Sequence, residues 1–218
     1  MQVNRQLEQA KAAFMAKVPA EAQEVIFRHI REQQQIGHSF GLKEGDKAPD
    51  FKLNGHLGEE IALCEELARG PVILVFYRGD WCPFCNIQLR AFQRCLPRIR
   101  ELNGRLIAIS PQSQDHSLSQ KEKEQLEYTV LSDPDGQAGA GYKLLFELPD
   151  YLQHALSTRL KLDLADYNRT YRWILPVPAT YVIGQNGIIR HAHVDPDFME
   201  RAEPEVIIDQ LRNLAGQS

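Results

Sequence analysis

Two cysteines spaced two residues apart, Cys82 and Cys85 in the segment Trp81-Cys-Pro-Phe-Cys85, offer the most specific chemistry in this sequence. Placed on the first turn of a helix, two such thiols close a disulfide without backbone movement and can cycle between dithiol and disulfide. Pro83 suits the first helical position, where its missing N–H has no intrahelical acceptor to lose. Cys82 then falls at the helix N-terminus, where free N–H groups and the positive dipole end favour thiolate over thiol. A structural zinc site needs further ligands, and the sequence has neither a second Cys-x-x-Cys nor a suitably spaced His pair. Redox chemistry is therefore the reading, with no metal and no flavin or nucleotide cofactor implied.

The neighbours of the pair carry alternatives. Arg78, four residues before Cys82, is either a cation that tunes the thiolate or a solvated loop charge. Asp80 either opposes it, raising a thiol pKa, or accepts a proton from the resolving thiol. Cys64 and Cys95 read as buried structural cysteines, Cys95 being an alternative second resolving thiol. His191 and His193 alternate on a strand and read as partly exposed strand histidines. Asp195 to Arg201 reads as a surface loop.

Positioning the dithiol requires a buried strand before it and an amphipathic helix after it. Val72 to Phe76 is a continuous β-branched and aromatic run of the kind buried on both faces of a mostly parallel sheet. The helix that comes next shows Leu89, Phe92, Leu96 and Ile99 on one stripe, interrupted at Pro97. Beyond it the pattern predicts a strand over 106–109, a polar helix over 114–125, a strand over 128–131, a turn at Asp133-Pro-Asp-Gly136 and a helix over 137–146. A helical insertion spans 148–172. Two apolar runs, 180–183 and 188–194, meet across Asn186-Gly187 as a hairpin, and 205–214 closes the chain as an amphipathic helix.

Ahead of this body, Leu7, Ala10, Phe14 and Val18 and then Val25, Ile26, His29 and Ile30 recur at helical spacing around Pro19. Gly37, Gly41 and Gly45 puncture the next stretch. The expected organisation is an N-terminal helical arm over residues 1–40 and one domain over 41–218. The arm is too small to hold a core alone, so it packs on the body or on a second subunit, which leaves a homodimer open.

Composition limits the function classes. The chain has 218 residues with 25 Lys and Arg against 29 Asp and Glu, a net charge of -4, so no diffuse basic field invites nucleic acid or an anionic membrane. Its apolar runs fall well short of the ~20 residues a membrane-spanning helix needs. Residues 1–17 hold no uninterrupted apolar stretch of the signal-peptide kind, which places the protein in the cytoplasm, where free thiols are the expectation.

The segments Gly45-Asp-Lys-Ala-Pro-Asp-Phe51, Ile109-Ser-Pro111, Leu131-Ser-Asp133 and Pro178-Ala-Thr-Tyr-Val-Ile183, with the strand entering Trp81-Cys82, resemble the thioredoxin-fold superfamily, and within it the peroxiredoxin-like branch related to alkyl hydroperoxide reductase and thiol-specific antioxidant. The resemblance covers about residues 43 to 215. It implies an α/β thioredoxin-like fold, a central mixed sheet flanked by helices. It also implies a thiol–disulfide redox protein reducing protein disulfides or peroxides, with thioredoxin or glutathione as reductant. A reading from another class is a redox-responsive regulatory or binding protein, in which the disulfide changes docking of the arm or of the 148–172 insertion with little turnover. Laid on thioredoxins, Cys82 is the exposed attacking thiol, Cys85 resolves, and Pro178 matches the cis-proline that faces the disulfide. Laid on the peroxiredoxin pattern Pro-x-x-x-Thr-x-x-Cys, Arg78 falls on the Pro, Cys82 on the Thr and Cys85 on the peroxidatic Cys. The arginine of that family before the last hairpin is replaced by Pro178. Trp81 is implied to be an apolar lid at the substrate surface.

Overall fold

The computed structural model describes residues 3–36, 40–55 and 58–216, so Gly37 lies outside the described residues. The elements run α1 (Val3–Lys17), α2 (Ala20–Ile36), β1 (Lys52–Gly55), β2 (Glu60–Ala62), α3 (Leu63–Arg69), β3 (Val72–Phe76), α4 (Pro83–Glu101), β4 (Arg105–Ser110), α5 (Gln114–Glu124), β5 (Thr129–Ser132), α6 (Gln137–Gly141), β6 (Leu145–Glu147), α7 (Asp150–Arg159), α8 (Leu164–Asn168), β7 (Ile174–Pro176), β8 (Ala179–Ile183), β9 (Ile189–Val194) and α9 (Pro204–Ala215).

Among the described residues the main sheet has the order β2-β1-β5-β4-β3-β8-β9. β3 pairs parallel to β4 and antiparallel to β8, so the sheet is mixed, with β3 at its interior. The β3 run divides its side chains by the two-residue strand period. Ile73, Val75 and Tyr77 join the core under α4 and α9, while Val72, Leu74 and Phe76 join the core under α3 and α6. A strand apolar on both sides is what that double burial requires. The β8–β9 hairpin closes through Gly187, whose φ of 75° suits glycine and whose N–H bonds the Gly184 carbonyl at 2.8 Å.

Three expectations are corrected. Pro97 does not interrupt α4: the helix runs through it, because Leu96 and Ile99 on either side are buried and hold the turn against the lost hydrogen bond. The helix expected over 137–146 stops at Gly141, since Lys143 takes φ 56° and Leu145–Glu147 turns into β6, which pairs with β7. Cys64 is exposed rather than buried, because Leu63 and Leu67 occupy the inner side of the short α3. Cys95 is half-buried on α4.

The arm packs on the body. Val3, Leu7, Ile26 and Ile30 belong to the same core as Phe84 and Leu89. The first backbone N–H groups of α1, at Val3 and Asn4, donate to the Glu203 carboxylate at 2.9 and 2.7 Å, so the body caps the arm's helix. α2 is tied to α7 of the insertion by Tyr151, whose hydroxyl donates to Glu32, and by Arg28, which bonds Glu32 at 2.8 Å and lies 4.0 Å from the Tyr151 ring centroid. Among the described residues no helix is long and apolar enough to cross a membrane.

Candidate active site

β3 ends by handing the chain to a short loop, Arg78 to Trp81, that delivers Cys82 as the N-cap of α4 and Pro83 as its first residue. Gly79 adopts φ 145°, and a Cβ there would meet Trp81 Nε1 at 2.4 Å, so the loop needs glycine at that point. A buried polar network fixes the same loop. The Asp80 N–H donates to Gln112 Oε1 at 2.9 Å, and Asn86 Nδ2 donates to the Asp80 carbonyl at 2.6 Å. Gln120 links the two, accepting from Gln112 Nε2 and from the Tyr77 hydroxyl, each at 2.8 Å, and donating to Asn86 Oδ1 at 2.8 Å.

Both cysteines are buried, Cys82 at 1% and Cys85 at 0% relative exposure. The exposed Cys82 expected from the thioredoxin alignment is thus corrected: the arm and the insertion cover it. Cys85 sits one turn into α4 beside Arg201, whose Nη2 lies 3.5 Å from Sγ. Arg201 is itself 5% exposed, which corrects the reading of 195–201 as a surface loop. The guanidinium is anchored by Gln88 Oε1, which accepts from Nε at 3.0 Å, and by the carbonyls of Phe198 and Glu200; Gln88 in turn donates to Thr180 Oγ1 at 3.2 Å. A buried cation thus stands beside Cys85 even though Pro178 occupies the place where the resemblance puts an arginine. Its one trace in the sequence was that departure, because nothing in spacing or periodicity ties residue 201 to residue 85.

Arg78 is no solvated cation either. It is 8% exposed, with its guanidinium 4.0 Å from the Phe198 ring centroid and 4.8 Å from that of Trp81. Burial pushes the Cys85 thiol up, but the hydrogen bond from Cys82, the charges of Arg201 and Arg78 and the backbone N–H of Arg78 outweigh it and bring it down to about 5. Cys82 moves the opposite way: burial raises it, and donating to Cys85 raises it further. The two shifts run in opposite directions, so the pair favours the charge on Cys85 and the proton on Cys82.

Asp80 is not gathered with the thiols. Its carboxyl is raised by burial and faces His116 and Lys123 of α5 while receiving the Trp81 N–H. Trp81 and Pro178 line a cavity together with Cys82 and Arg78. Pro178 is not the expected cis-proline: the described residues contain no cis peptide, and the chain passes extended from β7 into β8 with the Val177 N–H on the Leu144 carbonyl at 2.8 Å. His191 pairs with Glu44 at 3.1 Å on β9, and His193 is half-buried beside it. No group of three or more His, Cys, Asp or Glu among the described residues is arranged to hold a metal ion.

Residues 44–192 match the model of the AhpC/TSA family. The chain is 33% identical over 94 residues to peroxiredoxin Bcp of Bacillus subtilis, covering 43% of this chain and 59% of that protein. It is 25% identical over 169 residues to the chloroplastic peroxiredoxin Q of Suaeda salsa, covering 78% of this chain and 65% of the relative. It thus spans less than two thirds of either curated relative. Among solved structures, peroxidoxin BcpB from Mycobacterium tuberculosis superposes with a TM-score of 0.63 at 20% identity, over 79% of this chain and 98% of that one. Arg201 and the whole arm fall outside the matched family span.

Proposed function

Because the chain belongs to the AhpC/TSA family, we propose that it is a thiol-dependent peroxidase in which Cys85 is the peroxidatic sulfur and Cys82 the resolving one. The observation that carries this reading is the Arg201 guanidinium 3.5 Å from Cys85 Sγ. A peroxidatic cysteine needs its thiolate, and the charge developing on the departing oxygen, met by fixed donors in a dry site. Arg201 and Arg78 are such cations, both buried, and among the described residues neither is given a carboxylate partner.

The cycle balances without a cofactor. The Cys85 thiolate attacks the terminal peroxide oxygen, the O–O bond breaks, and Cys85 becomes a sulfenic acid while the departing alkoxide takes a proton from Cys82. The Cys82 thiolate then attacks the sulfenic sulfur, forming the Cys82–Cys85 disulfide and releasing hydroxide. Peroxide has been reduced to alcohol and water by two electrons from the dithiol. An external thiol, thioredoxin or glutathione in the cytoplasm, returns them.

Disulfide exchange is the second reading, favoured by one observation: Cys82, not Cys85, lines the cavity at the site. A coupled NADPH assay separates the two. Peroxide turnover without insulin reduction is expected, with a dimedone adduct trapped on Cys85 in Cys82→Ser and none on Cys82 in Cys85→Ser. Insulin reduction that survives in Cys85→Ser, with no peroxide consumed, overturns the peroxidase.

A further inference from the structure

Arg78 stands where the peroxiredoxin pattern has a proline, so its role is particular to this chain. Its guanidinium is buried between the rings of Trp81 and Phe198, 4.8 and 4.0 Å from their centroids. Nε is fully covered and unpartnered, and among the described residues no acceptor is hydrogen-bonded to any nitrogen of this guanidinium. The cavity that Arg78 lines has a volume of about 300 Å³ and is partly open to solvent. Its described lining holds a second cation, Lys161, and no carboxylate. Trp81 Nε1 and His29 Nε2, from the same lining, are buried without a partner as well. An arginine fork with free donors in a mostly apolar recess is an arrangement that takes a carboxylate. Cys82 belongs to that lining and Cys85 does not.

The charge of this region depends on the state of the sulfurs. In the dithiol form the Cys85 thiolate offsets one of the two buried cations, Arg78 and Arg201. Closing the Cys82–Cys85 disulfide removes that negative charge and leaves both guanidinium groups without an anion, in surroundings of low dielectric. An incoming anion is therefore held more tightly by the oxidised protein than by the reduced one, and it is released when the thiolate returns.

Resting on the disulfide of the cycle above, we propose that electrons return to the protein from a small thiol bearing a carboxylate, which Arg78 seats in the oxidised form so that its sulfur attacks Cys82. The reductant loses its proton to solvent, its thiolate bonds to Cys82 Sγ, the Cys82–Cys85 bond breaks, and Cys85 leaves as a thiolate beside Arg201. A second molecule of the thiol attacks the reductant's sulfur in this mixed disulfide. The small symmetrical disulfide departs, and Cys82 takes the second molecule's proton. Two thiols have thus supplied the two electrons. Attack on Cys82 follows from access and also from the leaving group, because the sulfur of lower pKa departs faster and Cys85 is the one brought down to about 5.

The test starts from the full chain oxidised with diamide, so peroxide turnover plays no part in it. Reduction by 3-mercaptopropionate is compared with reduction by cysteamine, each rate divided by that thiol's rate with bis(2-hydroxyethyl) disulfide to remove intrinsic reactivity. The expected preference for the anionic thiol is about tenfold in the unaltered protein, about twofold or less in Arg78→Met, and partly restored in Arg78→Lys. Any change in Cys85 as leaving group is common to both thiols and cancels in this ratio. A second readout needs no variant: 3-phenylpropionate, which has the carboxylate and no sulfur, is expected by saturation-transfer NMR to bind the oxidised protein about fivefold more tightly than the reduced one. Equal normalised rates for the two thiols, a preference that Arg78→Met leaves in place, or 3-phenylpropionate binding that ignores the redox state overturns the carboxylate seat. Any of these alongside peroxide turnover driven by thioredoxin leaves the peroxidase standing. An Arg78-dependent anionic preference in a protein that turns over no peroxide supports the seat and overturns the peroxidase.

Discussion

Arg201 reaches Cys85 across 116 residues of sequence, its Nη2 lying 3.5 Å from Sγ, and Gln88, three residues after Cys85 on the same helix, holds the guanidinium there. Helix α4 thus carries both the sulfur and the group that aims its cation. Replacing Arg201 with Met removes a hydrogen bond to a charged sulfur, worth roughly 1.5–3 kcal/mol. The expected loss in the second-order rate with peroxide at pH 7 is about ten- to a hundredfold, measured by stopped-flow fluorescence. Gln88→Leu keeps the charge but frees it, and is expected to cost less at pH 7 and to shift the pH–rate profile upward. An unshifted profile would assign Gln88 to packing alone.

The opposite shifts of the two thiols give a pH signature. Cys85 lies below its unfolded value, so its charge contributes stability that is complete above about pH 8.5 and lost as the pH falls through about 5. Thiolate absorbance at 240 nm in the reduced protein is expected to show one sulfur ionised from near neutrality down to that region. Cys82→Ala removes the donated hydrogen bond and should move the Cys85 transition to higher pH, whereas Cys82→Ser retains a donor and should move it less. A transition that stays put in Cys82→Ala would locate the low-pKa sulfur elsewhere.

The elements that place the dithiol were legible where a local rule determines them. The double-faced β3 run, the N-terminal Pro83 and the Asn186-Gly187 turn each carry their own instruction. β6 was not legible: Tyr142, Leu145 and Phe146 continue a helical spacing, and only the left-handed Lys143 and a partner strand some thirty residues on convert it to extended chain. Arg201 and the cavity wall were hidden for the same reason on a larger scale. They depend on which distant segments the sheet brings together, and the arm's apolar stripe reads identically whether it covers a core or a substrate. Arg78 shows the limit: its type was readable, but its burial depends on Phe198, far outside the loop, as well as on Trp81 within it.

Gln120 ties the active-site loop to α5, and its amide serves three partners at once, Tyr77, Gln112 and Asn86. All of this lies in the interior, where a polar group left without a partner costs about 1–3 kcal/mol. Gln120→Leu strands at least two such groups and is expected to lower the unfolding free energy by about 2–4 kcal/mol in urea titrations. The loop it releases bears Arg78, so peroxide reactivity should fall even under conditions where the variant is fully folded. Gln120→Glu, which keeps the acceptors, should restore part of the stability above the carboxyl's pKa but not the bond to Asn86 Oδ1.

Glu203 tests whether the arm is an active wall of the site or a passive neighbour. Its carboxylate receives the Val3 and Asn4 N–H groups at 2.9 and 2.7 Å, satisfying two donors that α1 has no intrahelical partner for and setting a negative charge at the positive end of its dipole. Glu203→Ala removes both contributions, of order 1 kcal/mol together. That is small against the stability of a whole domain but large against the undocking of a single helix, which is held by a few apolar contacts such as Val3, Leu7 and Phe14. Amide hydrogen exchange is therefore expected to quicken about five- to tenfold across residues 3–17 and to stay unchanged in β3 and β4. The direction of the kinetic effect comes from the same geometry: loosening α1 withdraws Phe14 and Val18 from above Cys82, so alkylation of Cys82 by iodoacetamide should accelerate while the Cys85–Arg201 contact is untouched. Faster exchange without faster alkylation would mean that the insertion, and not the arm, controls access to the sulfur.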